Sequence, residues 1–202
     1  PILGRIVSQL EDAGIGQIYI SAHYLAEQIQ EFMSARKNKA SVEILTEDEP
    51  RGTAGALSFL PIETDKPVLV VNGDVLTKID FEKLHDFHFR HGHDGTICVA
   101  RHDLEIPYGV VKFGADGLFA GIDEKPLQSN FIAAGLYLLA PEFLSLVPKN
   151  KRIDMPEVLN LGRRMGLKIG LFPIHEYWID VGHPRDLKAA DTDFTGSGEA
   201  KN

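Results

Sequence analysis

Apolar side chains at Ile2, Leu3, Ile6, Val7 and Leu10 recur at the spacing of one helical face, and Gly14 stands where such a helix would end. The chain is therefore expected to open on a helix. Ile15 to Ile20 reads as a short strand, Tyr24 to Phe32 as a helix with Leu25, Ile29 and Phe32 inward, and Val42 to Leu45 as a second strand. A helix is expected at Ala54 to Leu60. The run Val68-Leu69-Val70-Val71, apolar at every position, reads as a strand covered on both faces, the kind found in parallel sheets. Asp80 can cap a helix from Phe81 to Arg90 that Gly92 closes. Strands follow at Thr96 to Ala100, Tyr108 to Phe113 and Leu118 to Ile122, the last two joined by a hairpin turn at Asp116-Gly117. The remaining expectations are a strand at Phe131 to Leu139, helices at Pro141 to Val147 and Met155 to Met165, a strand at Leu167 to Phe172, a last helix from Pro184 and a disordered tail from Thr195 to Asn202.

Alternation of strand and helix through the first half implies an α/β fold, an open and mostly parallel sheet flanked by helices, with strand-rich material inserted later. One domain over residues 1–194 is expected. A parallel βαβ unit needs a strand ahead of its crossover helix, so a first strand is expected before Pro1. At 202 residues the chain can bury roughly 70% of its unfolded surface without disulfide or metal staples. Lys and Arg number 21 against 29 Asp and Glu, a formal charge of −8, which speaks against nucleic acid as a partner. The longest stretch without charge, Pro126 to Pro141, is interrupted by Gln128, Ser129, Asn130 and Gly135, too polar and short to span a bilayer. A single cysteine, Cys98, in an apolar run reads as a buried hydrophobe in a reducing cytoplasm.

Two segments deliver an acid from an apolar run. Val71-Asn72-Gly73-Asp74 follows a buried strand, and Trp178-Ile179-Asp180-Val181-Gly182 repeats the pattern. In open α/β sheets ligands bind outside the carboxyl ends of strands, where Asp74 would lie, and a few carboxylates with phosphate oxygens suit Mg²⁺. Asn-Gly-Asp is equally a turn that leaves the sheet. Gly52-Thr53-Ala54-Gly55 runs into a helix, so its N–H groups face an anion or simply start that helix. Glu124-Lys125-Pro126 offers a lysine to a phosphate or an exposed ion pair. His85, His88, His91 and His93 lack the acids or cysteines of a metal cluster, and Glu47-Asp48-Glu49 reads as a solvated acidic loop.

In order along the chain, Pro1 to Ile15 (PILGRIVSQLEDAGI), Gly52 to Leu57 (GTAGAL), Val71 to Asp74 (VNGD), Tyr108 to Val111 (YGVV), Glu124 to Pro126 (EKP), Ala134 to Tyr137 (AGLY) and Trp178 to Gly182 (WIDVG) resemble the sugar-1-phosphate nucleotidyltransferases. The resemblance implies a Rossmann-like nucleotide-binding half and a sugar-binding half in one α/β domain of the nucleotide-diphospho-sugar transferase type. It implies Mg²⁺ on Asp74 and Asp180, catalysis by these two with Lys125, nucleotide contacts at Gly52, Thr53, Gly55, Asn72 and Gly73, and sugar-phosphate contacts at Gly109, Glu124, Lys125 and Gly135. GTAGAL looks more like the guanylyl and some uridylyl branches than the thymidylyl branch, which favours GTP. The family's glycine-rich loop, with its arginine and lysine, would precede Pro1, so the 202-residue chain alone is expected to be weak or inactive. Ala133 stands where the family often has a sugar-binding asparagine and Arg51 where a leucine is usual. The rival readings are a non-catalytic sensor of nucleotide or sugar phosphate and a Mg²⁺-dependent glycosyltransferase; a homo-oligomer is left open. If the resemblance holds, Asp74, Asp180 and Lys125 should open onto one cleft, with Gly52 to Gly55 on its rim.

Overall fold

A computed structural model describes residues 1–60, 66–149 and 151–182. The chain opens on helix α1 (Ile2–Asp12), whose Ile6, Val7 and Leu10 are buried as their spacing requires. Strand β1 (Gln17–Ala22), helix α2 (Ala26–Ala35) and strand β2 (Ser41–Thr46) follow. Arg36, just past α2, grips Glu11 of α1 with two guanidinium nitrogens at 3.1 and 2.7 Å, and Glu11 also accepts from the Lys39 and Ala40 N–H groups. These bonds hold the Glu11 carboxyl down at a pKa of about 2.

Next come the short helix α3 (Gly52–Gly55), which continues as a 3-10 turn over Ala56–Phe59, then strands β3 (Val68–Val71) and β4 (Val75–Thr77) and helix α4 (Phe81–Arg90). Asp80 caps α4, accepting the Lys83 N–H at 3.0 Å. Strands β5 (Gly95–Glu105), β6 (Val110–Phe113), β7 (Phe119–Asp123) and β8 (Leu127–Leu139) lead to helices α5 (Pro141–Ser145) and α6 (Met155–Arg164), then β9 (Ile169–Pro173) and β10 (Trp178–Asp180).

The central sheet has the order β3-β8-β5-β9. The α/β class stands, but the parallel share is smaller than the apolar runs suggested. Among the described residues β1–β2 and β5–β9 are parallel, whereas β3–β8, β5–β8, β4–β10 and β6–β7 are antiparallel. Val68–Val71 illustrates why: an apolar run reports cover on both faces but not the direction of its neighbour, here the antiparallel β8. Leu25 also differs from expectation. It precedes α2 in the left-handed region (φ 62°) and is exposed. The helix expected from Pro184, the tail and the boundary at residue 194 lie outside the described residues.

Two clusters sandwich the central sheet. On one side Tyr137 and Leu139 of β8 pack with Phe143, Met155 and Val158 of the helices; on the other, Leu136, Leu138 and Cys98 pack with Leu84 and Trp178. A third joins α1, α2, β1 and β2 to Leu69 and Val71 of β3, although β1 and β3 share no ladder. Along β8 the register jumps, since Ile97 faces Tyr137 while Val99 faces Ala133. The bulge holds Gly135 at φ +74°, and the Trp178 indole N–H donates to the Ala134 carbonyl at 2.8 Å beside it.

Candidate functional site

The bulge in β8 sets the position of the first acid. The Asn72 N–H donates to the Gly135 carbonyl at 2.8 Å, and a Cβ on Gly135 would stand 2.9 Å from both Asn72 Nδ2 and Val75 Cγ2. Only glycine lets the Asn72 side chain lie there. The Val75 N–H then returns to the Asn72 carbonyl, a tight turn that presents Gly73 and Asp74 at the end of the sheet. Antiparallel pairing of β4 with β10 sets Asp180 opposite Val75, and the Val181 N–H donates to the Asp74 carbonyl at 2.8 Å. Two segments remote in sequence thereby deliver their acids to one place.

Gly182 measures how close they come. A Cβ there would lie 3.0 Å from Asp180 Oδ1 and 3.4 Å from Asp74 Oδ2, so the two oxygens are at most about 6.4 Å apart. The Gly182 N–H fixes one of them, donating to Asp180 Oδ1 at 2.8 Å. Asp74 is half-buried and Asp180 exposed, and among the described residues neither joins an ion pair. Two carboxylates across a gap kept open by a glycine suit a cation between them.

The turn Gly52–Gly55 starts a short helix, one of the two readings its sequence allows. The Thr53 N–H donates to Asp154 Oδ1 at 2.9 Å, its hydroxyl accepts the Met155 N–H at 2.8 Å, and the Ala54 N–H donates to the Ile153 carbonyl. Gly52, at φ +79°, lies so close to this segment that a Cβ would meet Asp154 Oδ1 and the Ile153 carbonyl at 2.6 Å. Gly55 leaves room for the Arg51 Cβ. These bonds pin the turn to the start of α6 and engage the Thr53 and Ala54 N–H groups there.

Glu47 departs most from expectation. It is only 8% exposed, while Asp48 and Glu49 are open to solvent. Its carboxylate accepts from the Ser21 hydroxyl and, at 2.8 Å, from the Arg51 N–H; its carbonyl contacts His23 Nδ1 at 2.8 Å. Placed where β1 and β2 end, it braces the segment leading into Gly52. Three consecutive acids read as one solvated face, and the readable signal was that Glu47 prolongs β2.

On the sugar side, a Cβ on Gly109 would lie 3.0 Å from both Glu124 Oε2 and Ile122 Cγ2, which places Gly109 and Glu124 together. Lys125 is exposed and holds a left-handed backbone at φ 45°, uncommon for a residue with a side chain. It does not meet the aspartates here. The ladder β4–β10 brings the two acids together, and Gly109, Glu124 and Lys125 gather at the base of the hairpin.

The histidines fall into packing roles. His88 is buried against Thr96 Oγ1 at 2.9 Å, with burial holding its pKa below the ordinary value, and the His91 and His93 rings stack. Among the described residues no group of three His, Cys, Asp or Glu side chains could hold a metal.

Residues 1–196 match the family model described as nucleotidyl transferase. The chain is 32% identical over 194 residues to the mannose-1-phosphate guanylyltransferase catalytic subunit beta of Drosophila pseudoobscura pseudoobscura, covering 93% of this chain and 52% of that protein. It is 31% identical to mannose-1-phosphate guanyltransferase 2 of Candida glabrata, covering 94% and 55%. The chain thus spans about half the length of the curated relatives it matches. The crystal structure of HddC from Yersinia pseudotuberculosis superposes with a TM-score of 0.73 at 26% identity, covering 96% of this chain and 85% of that one, and HddC complexed with GMP-PN gives 0.72 at 25% identity. With residues 1–196 of its 202 matched by the family model, the chain belongs to the nucleotidyl transferase family.

Proposed function

We propose that the chain transfers a nucleotidyl group from a nucleoside triphosphate, GTP by preference, to a sugar-1-phosphate such as mannose 1-phosphate. A phosphate oxygen of the sugar attacks the α-phosphorus, the bond to the β-phosphate oxygen breaks, and pyrophosphate leaves with a nucleotide sugar as product. The observation that carries this reading is the Asp74–Asp180 pair flanking the bare Gly182. Hard carboxylate oxygens across a gap that a methyl would fill fit Mg²⁺, which when bound supplies neutralisation of phosphate charge.

The chain's own residues do the rest by position. Asn72 and Gly73 bring backbone to the edge of the site, and Glu47 holds the segment preceding Gly52 where a nucleotide would lie. Gly52, Thr53 and Gly55 contribute through the shape of the turn, braced from α6. Gly109, Glu124 and Gly135 frame the sugar phosphate, and Lys125 meets it as a point charge once substrate spans the distance from the acid pair. We assign the chain to the cytoplasm on its single cysteine, buried and with its thiol pushed up to about 12 by desolvation. No described helix is long and apolar enough to cross a membrane.

The test is pyrophosphate release from GTP with and without mannose 1-phosphate, run on the chain together with the glycine-rich loop expected ahead of Pro1. Release that requires both substrates and is lost in Asp180→Asn is expected. GTP binding without any release would instead make the chain a sensor built on this fold.

A further inference from the structure

The two strands that carry the acid pair are joined by a short ladder. β4 and β10 pair over three residues each, and among the described residues neither joins the central sheet. A two-stranded ribbon of that length is marginal in water. Its register nevertheless fixes the acids, because a slip of one residue moves Asp180 by about 3.4 Å along the strand and turns it to the other face.

Thr77 closes the ladder at the end away from the acids, opposite Trp178, and is only 2% exposed. Its hydroxyl accepts the Ile79 N–H at 3.1 Å and donates to the Tyr177 carbonyl at 3.0 Å. With Ile79 on a lone pair, the one hydroxyl proton is left for that carbonyl, which also takes the Lys78 N–H at 2.9 Å. Thr77 and Tyr177 each stand three positions from an acid, Asp74 and Asp180. From the other side, the Gln9 side-chain amide of α1 donates to the Thr77 carbonyl, and Ile2 of that helix packs on Leu76 and Val181. Packing alone would be met by valine, which has the same shape and strand preference; the buried hydroxyl adds only its two bonds. We infer that Thr77 is a positioning residue, its hydroxyl pinning the β4–β10 register so that Asp74 and Asp180 face one divalent cation together. The inference rests on the reading of the acid pair as a metal site.

Two readouts test it on the protein used for the pyrophosphate assay. One is Mn²⁺ affinity by electron paramagnetic resonance; the other is exchange of the Val181 amide, which donates to the Asp74 carbonyl, by nuclear magnetic resonance. Thr77→Val is expected to weaken Mn²⁺ binding about 10- to 100-fold and to speed Val181 exchange several-fold. Thr77→Ser, which keeps the hydroxyl, is expected to hold both near wild type. Thr96→Val removes another fully buried hydroxyl, the one bonded to His88, and is expected to lower the thermal midpoint with both readouts unchanged. Should Thr77→Val misfold, Gln9→Ala takes its place: it removes the donor to the Thr77 carbonyl and is expected to weaken Mn²⁺ binding several-fold. Wild-type Mn²⁺ affinity in the variant that folds, a serine that behaves like valine, or an equal loss in Thr96→Val overturns the inference. A wild-type protein that takes up no Mn²⁺ refutes the metal reading instead. The Val181 amide then decides the pinning alone, with faster exchange in Thr77→Val supporting it and unchanged exchange overturning it.

Discussion

Gly182→Ala probes the acid pair while leaving both acids in place. Its methyl would stand 3.0 Å from Asp180 Oδ1 and 3.4 Å from Asp74 Oδ2. At the shorter distance the Asp180 carboxylate must shift by a few tenths of an ångström, and the gap facing Asp74 narrows. The fold has little reason to object. Gly182 is exposed and its backbone lies outside the left-handed region, so stability is expected to stay within about 0.5 kcal/mol of wild type. Disturbing the orientation of metal-facing carboxylates typically costs 10- to 100-fold in metal affinity, or about 1.4 to 2.8 kcal/mol. The assay is a Mg²⁺ titration of pyrophosphate release, with Mn²⁺ binding read by electron paramagnetic resonance as a measure independent of turnover. Both midpoints should rise 10- to 100-fold at an unchanged thermal midpoint. If Gly182→Ala keeps the wild-type metal dependence, the two aspartates are strand-end residues and do not share an ion.

Three further outcomes follow from the same geometry. Asp74→Asn should lower turnover by several kcal/mol of barrier, at about 1.4 kcal/mol per tenfold, yet leave the thermal midpoint level or higher because a repulsion is removed; near-normal turnover at saturating Mg²⁺ would contradict this. Asp154→Ala deprives α6 of its cap and the Thr53 N–H of its acceptor, so denaturant unfolding should show a loss of about 1 to 2 kcal/mol. Glu11 is held near a pKa of about 2 against an ordinary 4.5, so its contribution is complete above the ordinary value and is lost as pH falls from there towards 2. Glu11→Gln should accordingly be less stable than wild type at neutral pH, and the gap should shrink on acidification.

Periodicity and local chemistry made the elements legible. The α1 stripe and the Val68–Val71 run are patterns within a few residues, and the Asp80 cap and the hairpin turn at Asp116-Gly117 are interactions of the same reach, all of which a linear reading captures. Asp74 and Asp180 were likewise visible as candidates, because an apolar run ending in an acid beside glycine is a local pattern.

Long-range pairing decided the remainder. Whether β3 runs parallel or antiparallel to its neighbour depends on β8, whose partners the apolar run cannot specify. Thr53 lies 101 positions from the Asp154 it bonds, so its role as a brace could not be read from GTAGAL. Glu47 is buried only because β1 ends beside β2 and supplies the Ser21 hydroxyl, and Arg51 turns its N–H back onto it. The closeness of Asp74 to Asp180 is likewise a product of the β4–β10 ladder. Local propensity sets which residues form helix or strand. Which side chains then share one site is settled by strand pairing, since a ladder brings together residues that no sequence window contains.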